Sequence, residues 1–415
     1  MSDGAPEPKP LPRKTGRYML FDHIGQGGMA EIYLARATTD VGATRSCVVK
    51  EILPLYAGRA DFADMLIKEA KLAARLNHEN VVQVFDLERD GGNLYIAMDY
   101  VEGFDLSALL KKCSKQKVKL PAELAFHVVS EVLHGLDYAH RAKGEDGKPL
   151  GLVHRDVSPS NVLVSFEGEV KLCDFGIAHA NALAVPSGEE PSEAIKGKAG
   201  YMSPEHAKGE PLDARADVFA AGIILWELLA GRKLYRSDAG PLLDQARAAQ
   251  IPELPSRGFA HEEELSVIVK KALATNRDER YASAAEMQRD LDAYVQKASL
   301  GANPIKLGDW LREHFGEDML EQRSARERAA KALENAPVIH PKALRTPPPA
   351  PVVTYAKEEV VPPSVSLAAV DVSPSSVGPR GNSDPDATVD SKVPRWVLIL
   401  VAVVVATVTY VVSRR

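Results

Sequence analysis

The sequence contains few cysteines and no excess of positive charge, and both shortages exclude classes of protein. Its 415 residues include three cysteines, Cys47, Cys113 and Cys173, which lie far apart and lack the close spacing of a metal site. Isolated thiols favour a reducing compartment. The net charge is -6, whereas nucleic-acid-binding proteins usually carry a basic face. We therefore expect no nucleic-acid partner.

An apolar run long enough to cross a membrane occurs only near the C-terminal end of the sequence. Residues 1–17 are rich in Pro and charge and lack the apolar core of a signal peptide, so we predict a disordered tail. Residues 336–394 are poor in aromatics and rich in Pro, Ser and Val, which is typical of a flexible linker. Residues 396–412 form a nearly continuous apolar stretch, with Trp396 and Tyr410 near its ends, and predict one transmembrane helix. A buried strand is the alternative, but no neighbouring sheet is evident.

Between these segments, residues 18–295 have the hydrophobic pattern of a globular domain. Strand patterns occur at residues 18–21, 31–35, 47–50, 81–85 and 94–100. Apolar residues at helical spacing occupy residues 61–76, 123–140 and 216–229, the last being apolar nearly all round. Strands first and helices second predict an α+β fold, with a small antiparallel sheet lobe that has one main helix and a larger helical lobe.

A helical extension is predicted at residues 296–335. Its aromatic and leucine side chains have a spacing that would let them dock on the helical lobe. The candidates for this packing are Trp310, Leu311, Phe315 and Leu320. The sequence suggests no function for the extension beyond packing.

The first candidate binding element is the glycine-rich turn at residues 25–30. Two strands joined by glycines can bring backbone N–H groups close to phosphate oxygens, because no Cβ blocks the approach. For this motif alone, an ordinary glycine hairpin is the alternative. Lys50, at the end of an apolar strand, needs an anionic partner, and Glu69 in the next helix can supply it. The alternative for that pair is two solvated side chains.

Two loops carry the remaining polar candidates. The segment 153–163 contains Asp156 and Asn161 between apolar stretches, so both side chains can enter one cleft. There Asp156 can accept a hydroxyl proton, and Asn161 can ligate a divalent cation through its amide oxygen. The segment 172–176 adds Asp174, whose carboxylate suits Mg²⁺.

In their order and spacing, these motifs and a later Ser-Pro-Glu resemble the eukaryotic-like protein kinase family over residues 18–295. The forms Gly-Gly-Met-Ala-Glu-Ile-Tyr and His-Arg-Asp-Val-Ser-Pro-Ser-Asn resemble bacterial members, in particular myxobacterial ones. The resemblance implies the bilobal protein kinase fold. It also implies transfer of the γ-phosphoryl group of ATP to serine or threonine of proteins, including autophosphorylation, in bacterial signalling.

The resemblance implies a catalytic role for each matched polar residue. Lys50 and Glu69 would form the ion pair that positions the phosphates. Asp156 would orient the substrate hydroxyl as catalytic base. Asn161 and Asp174 would hold Mg²⁺, with Mn²⁺ as an alternative ion.

The resemblance also implies an ATP pocket between the two lobes. It comprises the glycine loop, an adenine slot with Met98 as gatekeeper, a backbone hinge at residues 99–101, and Asp105 toward the ribose. The predicted ATP-binding residues are Ile24, Gly25, Gln26, Gly27, Gly28, Met29, Ala30, Glu31, Ile32, Val48, Lys50, Met98, Asp99, Val101, Asp105 and Leu163. For the apolar members, a plain core role is equally compatible.

Three further matches with the family imply structural rather than catalytic roles. Glu205 would pair with Arg280. Asp217, at the start of the buried helix, would brace the backbone of the catalytic loop. His154 and Phe175 would stack against each other.

Two positions depart from the pattern of serine/threonine kinases. Ser158 stands where a lysine usually follows the catalytic aspartate, and Lys198 stands where a threonine is usual. Those two side chains meet near the γ-phosphate in the family, so we expect Lys198 to neutralise phosphate charge in place of the missing lysine. A solvent-facing Lys198 is the alternative. The same departures are the sequence support for two other hypotheses, a nucleotide-binding pseudokinase and a dual-specificity or tyrosine kinase.

Regulation and location are predicted from the remaining features. Residues 177–203 contain no threonine, so Ser187 and Ser192 are the candidate phosphate acceptors, and the phosphate would pair with Arg155. A simply flexible loop is the alternative. Because the enzyme needs ATP, we expect the kinase domain in the cytoplasm, anchored to the inner membrane by the single span 396–412. The expected partners are ATP, protein substrates and a second copy for autophosphorylation.

Overall fold

A six-stranded antiparallel sheet forms the first lobe of the protein. The computed structural model describes residues 10–26, 29–38, 44–57, 60–90, 93–175 and 198–334. The strands are β1 (Arg13–Thr15), β2 (Tyr18–Gln26), β3 (Ala30–Thr38), β4 (Thr44–Ile52), β5 (Val84–Asp90) and β6 (Asn93–Asp99), in the spatial order β1-β2-β3-β4-β6-β5. Two helices accompany them, α1 (Pro54–Ala57) and α2 (Ala60–Ala73).

Strand β4 shows how the sheet places one charged side chain toward the cleft. Successive strand residues point to opposite faces, and Cys47 and Val49 are buried in the apolar cluster on one face. Val48 packs on the cluster of the other face, where α2 also lies. Lys50 shares the face of Val48 and is almost completely buried. Its ammonium group therefore needs a partner inside the protein.

The second lobe is mainly helical and also contains a small three-stranded sheet. Its helices are α3 (Leu106–Gln116), α4 (Ala122–His140), α5 (Pro204–Lys208), α6 (Ala214–Ala230), α7 (Leu242–Ala248), α8 (Glu262–Ala272), α9 (Ala284–Lys297) and α10 (Pro304–Glu334). The sheet contains β7 (Gly103–Asp105), β8 (Val162–Ser165) and β9 (Val170–Leu172). Helix α6 is buried along nearly its whole length, as its apolar composition predicted. It begins at the N-cap Asp213 and ends at Gly231, whose φ of 67° suits glycine.

The predicted α+β arrangement of a small sheet lobe followed by a larger helical lobe is confirmed. Two local predictions are wrong. Strand β5 begins at Val84 rather than at residue 81, because Val81 forms only an isolated bridge with Leu172. Residues 13–15, expected in the disordered tail, form β1, since Arg13 pairs with Glu51 across the sheet.

The C-terminal helix α10 packs on the second lobe, although not through every expected side chain. Leu311 and Phe315 are fully buried, and Trp310 packs beside them. Leu320 is 60% exposed, so its predicted docking is wrong, whereas Leu307 is buried and was missed. The backbone of Phe315 is non-helical, and this kink shifts the buried face of the helix.

Within the described residues, no helix combines the length and apolarity that a membrane crossing requires. The predicted linker 336–394 and the predicted span 396–412 lie outside those residues.

Candidate active site

The loop that carries the predicted catalytic base is held by Asp217 in the first turn of α6. The backbone N–H groups of His154 and Arg155 donate to the Asp217 carboxylate at 2.7 and 2.8 Å. His140 contacts the same carboxylate at 2.8 Å. Burial acts to raise the pKa of Asp217, but the hydrogen bond and charge of His140 outweigh it and lower the pKa. Asp217 therefore stays ionised and braces the loop, as predicted.

Asp156 lies at the centre of a second set of contacts. The amide nitrogen of Asn161 donates to the Asp156 backbone carbonyl at 2.7 Å and to its Oδ2 at 2.8 Å. Because the amide nitrogen makes these contacts, the amide oxygen of Asn161 is the atom that could ligate a cation, as predicted. The ammonium group of Lys198 also donates to Asp156 Oδ2. Burial acts to lower the pKa of Lys198, but the charge of Asp156 and this hydrogen bond raise it, so the lysine is charged.

Asp174 forms the third part of the site. Its Oδ1 accepts a hydrogen bond from Lys50 Nζ at 2.9 Å. Burial acts to raise the pKa of Asp174, but the charges of Lys50 and Lys198 lower it. Asp156 and Asp174 therefore each have a lysine partner.

The oxygen atoms at this position fit a hard divalent cation. Among the described residues, no group of three His, Cys, Asp or Glu side chains forms a complete metal site. Mg²⁺, however, usually binds through one or two protein oxygens together with substrate phosphates. The Asp174 carboxylate and the Asn161 amide oxygen supply such a pair.

The predicted ion pair between Lys50 and Glu69 is absent from the described structure. Lys50 pairs instead with Asp174, because the buried ammonium group of Lys50 needs an anionic partner inside the protein. In the described part of the chain, no group hydrogen-bonds to the buried Oε2 of Glu69. Burial raises the pKa of Glu69 to about 7, and the positive charge of Arg155 opposes that shift only in part.

Several predicted adenine-slot residues lie together below the sheet. Met98 is buried and stands opposite Val48 in the pairing of β4 with β6. Val48, Val101 and Leu163 pack against the same apolar cluster as Met98. Ile24 is 45% exposed. The described structure thus brings together residues from three separate parts of the sequence.

A small apolar cavity lies on the inner side of Met98. It lies between Met98, the predicted gatekeeper, helix α2 and the segment that contains Asp174. The residues that line it are Ala70, Ala73, Val81, Val82, Val84, Ile96, Met98, Asp174 and Phe175.

Strands β2 and β3 flank the predicted glycine loop. Their antiparallel register pairs Gly25 with Ile32. An ideal Cβ on Gly25 would meet only Ile32 Cδ1, at 3.9 Å, so this end of the loop is open. Gly27 and Gly28 lie outside the described residues.

The other predicted loop residues divide between the core and the surface. The side chains of Met29 and Ala30 are buried in the core of the first lobe. Gln26 is exposed and pairs with Glu31 across the strands. Glu31 accepts a hydrogen bond from the hydroxyl of Tyr33. A contact of Met29 or Ala30 with ATP would therefore use backbone atoms.

Asp99 of the predicted hinge and Asp105, the predicted ribose contact, each form hydrogen bonds or ion pairs within the protein. Asp99 donates its backbone N–H to Gln83 at 3.0 Å, and its carboxylate pairs with Arg45. Asp105 is the N-cap of α3 and accepts the N–H of Ala108 at 2.8 Å. This cap uses Oδ1 of Asp105, and its predicted ribose contact stays a prediction.

The three scaffold predictions are confirmed. The guanidinium of Arg280 pairs with the Glu205 carboxylate through contacts of 2.6 and 2.8 Å. The rings of His154 and Phe175 lie 4.4 Å apart.

Sequence reasoning missed His140, because no motif surrounds a histidine at the end of an amphipathic helix. The predicted acceptors Ser187 and Ser192 lie outside the described residues.

Comparisons with known proteins agree with this geometry. The tyrosine-protein kinase MasK of Myxococcus xanthus is 36% identical over 323 residues, which cover 76% of this chain and 48% of MasK. The serine/threonine-protein kinase PknB of Mycobacterium leprae is 36% identical over 287 residues, which cover 68% of this chain and 43% of PknB. The chain therefore spans less than half the length of either relative.

Solved structures and a family comparison point the same way. The Mycobacterium tuberculosis PknI kinase domain is 29% identical, with a TM-score of 0.51 over 68% of this chain and 96% of that chain. Residues 18–291 match the family described as protein kinase domain. The chain belongs to the protein kinase family.

Proposed function

We propose that this chain transfers the γ-phosphoryl group of ATP to serine or threonine hydroxyls of proteins, including its own, in bacterial signalling. The observation that carries the proposal is the convergence of Lys50, Asp156, Asn161 and Asp174 on one cleft. The relatives named serine/threonine kinases support the choice of acceptor. The Myxococcus relative supports a myxobacterial type of kinase.

In the proposed mechanism, the protein positions groups and neutralises charge. Asp156 accepts the hydrogen bond of the substrate hydroxyl and takes its proton as the hydroxyl oxygen attacks the γ-phosphorus, while the bond from that phosphorus to the bridging oxygen breaks and ADP leaves. Asn161 fixes the carboxylate of Asp156 through its amide nitrogen. Mg²⁺ held by Asn161 and Asp174 would neutralise phosphate charge. Lys50 would turn from Asp174 toward the phosphates when these ligands bind.

Lys198 has a specific place in this proposal. Its ammonium group donates to Asp156, the catalytic base. Ser158, where the family usually has a lysine, is buried and its hydroxyl lies 3.0 Å from that of Ser160. These contacts support the proposal that Lys198 supplies the positive charge near the γ-phosphate.

The test is phosphate transfer by the full-length chain in detergent micelles. ATP labelled on the γ-phosphate would be supplied with Mg²⁺ and a generic protein substrate, and the Asp156→Asn variant would run in parallel. We expect label on serine or threonine that disappears in the variant. Absence of label from a chain that still binds ATP would refute the proposal in favour of a pseudokinase.

A tyrosine or dual-specificity kinase is the second candidate. MasK is named a tyrosine-protein kinase, and Ser158 and Lys198 depart from the usual serine/threonine pattern. Phosphoamino-acid analysis of the labelled product separates the two candidates. Label on tyrosine alone would replace the main proposal, and label on both classes would extend it.

We further propose a cytoplasmic kinase domain held at the inner membrane by residues 396–412. The apolar run and the need for cytoplasmic ATP support this location. A transient homodimer would permit autophosphorylation, with Ser187 and Ser192 as acceptors and Arg155 as the partner of the phosphate. Recovery of the full chain in the soluble fraction would contradict the anchor.

A further inference from the structure

Helix α10 lies outside the segment that matches the kinase family, yet it extends from the second lobe to the first. The family match ends at residue 291, and α10 spans Pro304–Glu334. Within the described chain, the helix contacts the second-lobe core and also strand β2 of the first lobe. Its path follows the segment that connects the two lobes.

The first half of α10 is fixed to the second lobe by close packing. Phe315 packs edge-to-face on Phe104, with ring centroids 5.8 Å apart. At Gly308 an ideal Cβ would come within 2.9 Å of the Glu167 backbone, so the helix lies directly on the turn after β8. Arg312 donates to the Phe166 carbonyl at 3.1 Å. This half is therefore a rigid base for the residues that follow.

The second half of α10 presents two arginines to the chain segment just after the hinge. Arg323 Nε donates to Glu102 Oε1 at 3.2 Å, and Arg326 Nη1 lies 3.0 Å from the same oxygen. The guanidinium of Arg326 also lies 5.6 Å from the centre of the Tyr100 ring. The backbone carbonyl of Glu102 accepts the Phe166 N–H at 2.9 Å. Both ends of Glu102 are thus held by elements of the second lobe.

We propose that α10 is a hinge brace, in which Arg323 and Arg326 are positioning residues for ATP binding. They hold Glu102 and Tyr100, and so keep residues 99–102 in the arrangement that receives the adenine base. The inference rests on the proposed function, because it concerns the affinity of that site for ATP.

The brace is expected to act on binding rather than on chemistry. A hinge that is ordered before the nucleotide arrives loses less conformational entropy when it binds. The brace touches neither Asp156 nor Asp174, so phosphoryl transfer from bound ATP should be unaffected. The expected signature is a higher Kd and KM for ATP with an unchanged kcat.

The experiment compares the full-length chain with Arg326→Ala and with the double variant Arg323→Ala/Arg326→Ala. A fluorescent non-hydrolysable ATP analogue with Mg²⁺ gives the Kd, and peptide or self-phosphorylation gives KM and kcat. We expect the Kd and the KM for ATP to rise about three- to tenfold in the double variant, with kcat within about twofold. Arg326→Lys, which retains the charge, should recover part of the loss.

Arg328→Ala is the matched control, because Arg328 is exposed on the same helix and the described residues offer it no ion pair. It should leave the Kd unchanged. A double-mutant cycle combines Glu102→Gln with Arg326→Ala. The Kd of the combined variant should rise by a smaller factor than the product of the factors measured for the two single variants. This coupling separates a hinge contact from a general loss of helix stability.

Three outcomes would overturn the inference. The first is a Kd in the double variant equal to that of the wild type. The second is an equal loss in Arg328→Ala. The third is independent effects of Glu102→Gln and Arg326→Ala. Failure of the wild type itself to bind the analogue would instead refute the proposed function, and the brace with it.

Discussion

At the scale of single residues, the cleft is organised by two lysines with two acidic partners. Lys50 neutralises Asp174, and Lys198 neutralises Asp156. Glu69 is half-buried, and its buried Oε2 accepts no hydrogen bond from the described residues. The placement of Asp156, Asn161 and Asp174 in one cleft was predictable because their motifs are local. The partner of Lys50 was not, because only the folded structure shows which carboxylate lies within reach of its ammonium group.

The Lys198 contact predicts a compensating exchange of side chains. Lys198→Thr should lower kcat by about tenfold or more, because the γ-phosphate and Asp156 lose a neighbouring positive charge. Adding Ser158→Lys to that variant restores the usual family arrangement and should recover activity. Steady-state kinetics of both variants give the measurement. Lys208→Thr, at an exposed lysine, is the control.

Either of two results would contradict the exchange. Lys198→Thr with the kcat of the wild type would make Lys198 dispensable. Failure of Ser158→Lys to recover any activity, with an unchanged melting temperature, would show that the two positions are not equivalent.

Glu69 predicts a pH-dependent stability. Burial raises its pKa to about 7 from a usual 4.5, so the folded chain binds this proton more tightly than the unfolded chain does. The stabilisation is complete below pH 4.5 and is lost as pH rises through about 7. Relative to Glu69→Gln, the free energy of unfolding of the wild type should fall across this range and then level off.

Urea denaturation at several pH values between about 4.5 and 8 gives that comparison. A difference between wild type and Glu69→Gln that stays constant with pH would mean that Glu69 has an ordinary pKa in the folded chain.

At the scale of elements, sequence patterns predicted helices better than their exact buried faces. Helix α6 was predictable because its apolar residues occur all round it. Helix α10 was predictable as a helix, but the kink at Phe315 exposes Leu320. A kink depends on tertiary packing, so helical periodicity alone does not reveal it. Strand β1 was missed because the ion pair of Arg13 with Glu51 stabilises it, and such a pair leaves no apolar pattern.

The ion pair between Glu205 of α5 and Arg280, in the segment that precedes α9, predicts a large loss of stability when it is broken. Arg280 and Glu205 are both buried, with side-chain exposures of 0% and 5%. Glu205→Gln should lower the free energy of unfolding by about 3 to 5 kcal/mol, because the Arg280 charge loses its counter-charge inside the protein. Chemical denaturation measures the loss.

The matched control is Glu210→Gln, since Glu210 pairs with Arg277 at 3.1 Å but is 46% exposed. Its cost should stay below about 1 kcal/mol. Equal losses in the two variants would show that burial does not set the strength of these pairs.

At the scale of the whole molecule, the proposed ATP pocket uses both lobes and the predicted hinge. Lys50 comes from the sheet lobe, while Asn161 and Asp174 come from the loops of the helical lobe. Such a pocket should bind ATP only when both lobes are folded. By mass action, ATP with Mg²⁺ at about 100 times its Kd should then stabilise the chain by about 2.7 kcal/mol.

Removing the metal tests which residues hold it. In the Asp156→Asn variant, which should not consume ATP, the ATP-induced rise in melting temperature should shrink when EDTA removes Mg²⁺. Adding Asp174→Asn should abolish that difference between Mg²⁺ and EDTA, because the carboxylate ligand is lost. A full Mg²⁺ effect in the presence of Asp174→Asn would exclude Asp174 as a ligand. If the variant with Asp174→Asn binds no ATP in either Mg²⁺ or EDTA, Asp174 would instead be needed for the structure of the cleft. The reason would be that Lys50 has lost the partner that holds it between the lobes.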